Sequence, residues 1–258
     1  MTAARLLTLA IVLVVLALGG TVLEQIAKPV WTEARARQPA LRLDSSMAAA
    51  GQGVTLALLG GFRALVADAV WVRMYVQWEN HDLPGVETLI RLVTAIDPRP
   101  VYFWLNGARI VAYDLTSWRI MMAGGYDTTP EGVQTRIGHE QAGLALRQLD
   151  AAMTFHPQNA DLWIERANIQ LNRLGDPAAA AESYRRAYEQ PNAPYYAARL
   201  HAELLKRLNR KKEALDWLKK VYAQLPPNDE SAQPELILER IRELERDLNV
   251  PAEQVIRK

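Results

Sequence analysis

Cysteine is absent from this chain, which excludes a disulfide framework, a thiolate metal site and a lipid-bearing cysteine. Stability must therefore come from apolar burial. Histidine is scarce, and none of the four histidines stands at metal-ligand spacing from another. His139-Glu140 lacks the second histidine four residues on that a zinc-protease helix requires, and His156, just before Pro157, reads as a hinge residue. Gly-rich phosphate loops and Gly-x-Ser-x-Gly elbows are missing. A formal charge of +1 leaves no surplus of one sign for nucleic acid, and basic and aromatic residues do not interleave as they do on a binding module. These absences give no reason to expect a catalytic centre, a metal, a cofactor, a small-molecule substrate or a nucleic-acid partner.

What the chain does have is apolar residues in helical spacing. Half of its 258 residues are hydrophobic and strand-type runs are few, so the fold expectation is all-α. Leu6 to Leu23 is eighteen residues without a charge, about 27 Å as a helix and nearly enough to cross a hydrocarbon core. Residues 1–23 accordingly read as a membrane anchor. A cleaved signal peptide is the competing reading, with Ala17-Leu18-Gly19 as a small-residue stop. Lys28, Arg35, Arg37 and Arg42 follow the segment and by count would hold the next domain inside, whereas a short amino-terminal tail on a signal-like anchor sends it outward. The outward reading is preferred and the cytoplasmic one is the alternative. Residues 24–53 carry Pro29, Pro39, Ser45, Ser46, Gly51 and Gly53 and read as a linker, or in part as a short helix around Ala40 to Ala50.

Residues 54–258 form the helical part. From Val54 onward Leu58, Phe62, Leu65, Ala69 and Val72 share one side of a long helix, with Gly60-Gly61 as a point of kinking or close approach. A break from His81 to Gly85 precedes a second helix ended by Pro98. The next pair starts at Pro100 with Trp104 and Ala108. Its partner helix is delayed to about Ile137 by an insertion near 114–137, within which Thr129, Pro130 and Glu131 resemble a hydroxyl-capped helix start. Such an insertion either touches a partner or caps the stack through Trp118, Ile120, Met121 and Met122.

From Ala145 the spelling becomes regular. Ala145, Leu149, Ala152 and Pro157 are followed by Trp163 and Ala167, then by Ala180, Tyr184 and Ala187. Leu205 to Ala214 echoes Leu171 to Ala180 at a shift of 34 residues, with Leu218 and Val221 standing where Tyr184 and Ala187 stood. Alanine at a crossing lets two helix backbones approach, and large residues fill the space beside it. This punctuation resembles the tetratricopeptide repeat, and the order of anchor, Gly-Gly-Phe-Arg-Ala-Leu-Val-Ala-Asp-Ala-Val-Trp-Val-Arg and degenerate repeats is similar to a group of bacterial membrane-anchored repeat proteins with no assigned activity. Met74 departs from the family pattern, which prefers a small residue there. The resemblance implies a superhelical solenoid in a single-pass protein of the bacterial inner membrane. Leu238, Ile241, Leu244 and Leu248 form one stripe of a final helix that reads as its cap.

In such stacks the first helix of each pair lines a concave groove. The resemblance implies that Trp71, Tyr75, Tyr102, Arg109, Asn168, Asn172, Tyr195 and Lys206 point into it, asparagines meeting a peptide backbone and Arg109 a carboxylate. Ile164 stands where the family's clamp for carboxyl-terminal peptides has a lysine, which puts that specificity in doubt. Filling of the stack is the other reading, strongest for Trp71 and Tyr102. Glu79-Asn80-His81-Asp82 is the best enzymatic candidate, set against ordinary loop solvation. Eight Lys or Arg lie between Arg199 and Lys220 against seven acids between Asp229 and Asp247, and a basic face turned to the acidic cap is preferred over one for anionic lipid. The functional expectation is a membrane-anchored scaffold for a protein or peptide partner. An envelope enzyme working at Glu79 to Asp82 or in the insertion is the alternative, and an accessory subunit docking by its convex face is a third.

Overall fold

The computed structural model describes residues 61–226, 229–251, 253, 255 and 256. The expected anchor at 1–23 and linker at 24–53 lie outside them. Among the described residues no helix is long and apolar enough to cross a membrane. The chain divides into two compact units, Met1–Val66 and Ala67–Lys258, and most of what is described belongs to the second.

Every regular element among the described residues is helical: α1 (Arg63–Glu79), α2 (Leu83–Ile96), α3 (Val101–Arg109), a π-helical turn (Ile110–Asp114), α4 (Leu115–Met122), α5 (Glu131–Phe155) and α6 (Ala160–Asn172), then α7 (Pro177–Tyr188), α8 (Tyr196–Arg207), α9 (Lys211–Ala223), a 3₁₀ turn (Glu230–Ala232) and α10 (Pro234–Asp247). Local chemistry sets the starts. Asp82, Asn159 and Asp176 each cap a helix, accepting from the backbone N–H of Gly85, Leu162 and Ala179, and Pro84 and Pro177 sit in first turns where no donor is needed.

From α5 to α10 each helix packs on the next in sequence, while α3 also meets α2, α5 and α6. The crossings are built from small residues. Ala145, Ala152, Ala167, Ala180, Ala187, Ala197 and Ala214 have no exposed surface, and Tyr184, Leu218 and Val221 fill the gaps beside them. The 34-residue echo reaches the backbone: Gly175 and Asn209, one period apart, both end their helices in the left-handed region, at φ 61° and 60°. Of the expected stripe, Leu238, Ile241 and Leu244 of α10 are buried, joined by Ile237 and Glu245, while Leu248, just past the helix, is half-buried.

Several expectations are corrected. The apolar side of α1 faces outward: Phe62, Leu65 and Val72 are exposed, and Ala67, Trp71 and Met74 are the buried face. Trp71 stacks edge-on with Tyr75, 5.6 Å between centroids, and packs on Phe103 of α3, so the aromatic partners on α3 set the buried side. Gly61, at φ 82°, stands just before α1, and the expected helix from Val54 to Gly60 lies outside the described residues; Gly85 lies within α2 and not in the break. The insertion near 114–137 is mostly helical, and the partner helix starts six residues before Ile137. The helix begun at Val101 continues through the π turn to Met122, and its partner starts at Glu131, so the hairpin is lengthened at its tip. Thr129 does not cap α5, since its buried hydroxyl has no hydrogen-bond partner and Pro130 occupies the cap position. Of the four residues expected to cap the stack, Ile120 is buried while Met121 and Met122 are exposed.

Candidate functional site

Helical spacing builds one open cleft of about 610 Å³ in the second unit. Asn106, Arg109, Ile110, Tyr113 and Asp114 fall on one face across α3 and the π turn, a device frequent at functional sites. Glu165, Asn168 and Asn172 line the opposing face of α6, at intervals of three and four residues, and Tyr75 and Trp78 come from the last turns of α1. The other side of α6 puts Ile164 and Ala167 into the apolar cluster with α7, and this rotation turns the polar face to the cleft.

Each polar group is oriented by a neighbour. Arg109 Nε donates to Glu165 Oε2 at 2.8 Å; the carboxylate is 3% exposed while the guanidinium side chain is 51% exposed. Trp78 Nε1 donates to Asp114 Oδ2 at 2.8 Å. The Tyr184 hydroxyl donates to Asn168 Oδ1 at 2.6 Å, which leaves the Asn168 amide N–H groups as donors, and burial pushes the Tyr184 phenol up to about 12. Arg173 lies over the Tyr113 ring, 4.4 Å from its centroid, and burial raises the Tyr113 phenol against a lowering hydrogen bond with Asn172. Tyr75 and Tyr102 share a 3.5 Å contact between hydroxyls at the rim, which raises the Tyr75 phenol ahead of burial.

Of the eight groove residues expected from sequence, Tyr75, Arg109, Asn168 and Asn172 line this cleft together. Tyr102 stands at its edge, 52% exposed, and Trp71 is buried behind, 5% exposed. The other two lie elsewhere. Tyr195 is placed at the start of α8 with its hydroxyl toward Asp229; burial first, then Asp229, raises this phenol. Lys206 Nζ meets Glu243 Oε1 of α10 at 2.6 Å. Arg109 was expected to await a ligand's carboxylate, but Glu165 already occupies its Nε. Sequence reasoning missed Trp78, Asn106, Ile110, Tyr113, Asp114 and Glu165; the helical spacing from Asn168 back to Glu165 and from Arg109 to Asn106 was the available signal.

The Glu79 to Asp82 segment has structural work. Asp82 caps α2, Asn80 Nδ2 donates back to the Val76 carbonyl at 2.8 Å, and the His81 ring packs 4.8 Å from Trp118. His156, the expected hinge, reaches the Pro98 carbonyl with Nε2 at 2.9 Å and ties the two proline turns together. The basic stretch does face the acidic cap, with Lys211 2.7 Å from Asp247 and Lys219 2.7 Å from the buried Glu245 besides the Lys206 pair. Among the described residues no group of three or more His, Asp or Glu could hold a metal ion.

A second cleft, about 500 Å³, lies among α7, α8 and α9. Both its arginines are paired: Arg185 with Glu182 and Glu189, and Arg210 with Glu213. His201 is buried there, its Nδ1 2.7 Å from the Ala181 carbonyl and its ring 4.7 Å from Trp217; burial pushes the imidazole down. No protein-family model and no curated protein matches this sequence.

Proposed function

We propose that the chain is a membrane-anchored helical-repeat scaffold, an α-solenoid of tetratricopeptide type, that holds an extended segment of a partner protein at a bacterial inner membrane. The observation that carries this reading is the α3–α6 cleft: an open trough in which amides from two helices and aromatic rings from a third converge. Asparagine amides suit a peptide backbone, which offers alternating donors and acceptors, and flat rings suit the apolar stems between them. Packing of each helix on the next from α5 to α10 and the matched turns at Gly175 and Asn209 support the repeat reading. The uncharged run from Leu6 to Leu23 supports the anchor.

Site-specific photocrosslinking in native membranes tests the function. A photoreactive residue in place of the exposed Asn172, inside the cleft, is expected to capture one discrete partner, whereas the same residue in place of Glu189, outside it, captures none. Identical products from both positions overturn the assignment of the cleft. The anchor is checked separately: the full chain stays with membranes through an alkaline wash, and deletion of residues 6–23 releases it.

A further inference from the structure

Charge in the cleft is unbalanced in a way that names the side chain it takes. Arg109 and Glu165 neutralise each other at 2.8 Å, and Glu165 is buried, so the pair offers a ligand little net field. Asp114 is the remaining charge among the lining residues. One of its oxygens accepts from Trp78 Nε1; the other makes no hydrogen bond among the described residues. Aromatic rings surround it, and each is held in place. Tyr75 is braced edge-on by Trp71 at 5.6 Å, Trp78 by Trp118 at 5.9 Å, and Tyr113 carries Arg173 on its ring at 4.4 Å. Arg173 does not line the cleft.

A half-buried carboxylate with one free oxygen, lining the same cleft as the fixed rings of Tyr75 and Trp78, matches a cationic side chain. Its charge meets the carboxylate while its stem and head lie on the rings, and no ring has to reorder on binding. An anionic side chain would be repelled by Asp114 and would find at Arg109 a charge already offset by Glu165 on its Nε. We infer that the cleft selects a partner segment by one lysine or arginine, seated on Asp114 between Tyr75 and Trp78. This inference rests on the reading of the cleft as a peptide site and adds its specificity.

Panning a library of random twelve-residue peptides against the purified full chain separates the two. Lysine or arginine enriched at one common position is the expected result. Replacing that residue by norleucine then weakens binding to the native chain about tenfold or more, and Asp114→Asn, which keeps an acceptor for Trp78, removes the difference between the two peptides. Binders that are lost on Asn172→Lys but share no basic position, or that share an acidic one, overturn the inference and leave the peptide cleft standing. The absence of any binder sensitive to Asn172→Lys overturns both. The norleucine comparison needs only the native chain, so it decides the matter even where Asp114→Asn proves unstable.

Discussion

At the scale of single residues the Arg109–Glu165 pair is the most exacting feature of the cleft. Glu165 is 3% exposed, so a variant that removes Arg109 leaves a desolvated carboxylate without its counter-charge, at a cost of about 1–3 kcal/mol. Arg109→Ala is expected to lower the denaturation midpoint, and adding Glu165→Gln to recover most of the loss; a double-mutant cycle by urea unfolding measures the coupling. Arg109→Glu places two acids together and is expected to unfold this region, which makes it a poor probe of binding. His201 is the acid-sensitive residue. Burial holds its folded-state value below the ordinary 6.5 or so, so the unfolded chain takes the proton first and stability falls as pH drops below about 6.5. His201→Asn keeps a donor toward the Ala181 carbonyl and cannot titrate. Melting curves from pH 7.5 to 5 are expected to show a smaller drop for the variant than for the native chain, from a lower starting value.

At the scale of elements, two glycines in helices should respond in opposite directions. A Cβ on Gly107 of α3 would stand 2.4 Å from Gln148 Nε2 and 2.7 Å from Ile90 Cγ2, where α2, α3 and α5 meet. Gly107→Ala is therefore expected to cost about 1–3 kcal/mol by overpacking. Gly138, within α5, would meet nothing within 4 Å, and Gly138→Ala should add about 0.5–1 kcal/mol through helix propensity. Chemical denaturation of both variants checks the pair of signs. The helices themselves were legible in sequence because their signals are local: caps, prolines and small residues three or four apart. The rotation of α1 was not. Phe62, Leu65 and Val72 satisfy a helical period as well as Ala67, Trp71 and Met74 do, and the choice between the faces falls to Phe103 and Tyr102, which lie about thirty residues away in the chain.

At the scale of the whole molecule, the described helices of the second unit depend on a terminal cover. Leu215, Leu218 and Val221 of α9 are buried in one cluster with Ile237, Ile241 and Leu244 of α10, and the Lys206–Glu243 and Lys211–Asp247 pairs flank that seam. Truncation before Pro234 uncovers the cluster. The shortened chain is expected to bind a hydrophobic dye and to melt lower and less cooperatively, whereas Lys211→Ala alone, which removes one exposed pair, changes stability by no more than about 1 kcal/mol. Sequence by itself determined the helical class, the 34-residue recurrence from Leu171 to Ala214 and the stripe that buries α10, since each follows from spacings within a few turns of one chain segment. Tertiary structure alone decided that Asp114, Glu165, Tyr113 and Trp78 line one cleft while Tyr195 and Lys206 lie away from it. A helical period specifies which residues share a face. Only the packing of one helix on another sets its rotation, and that rotation selects which faces meet.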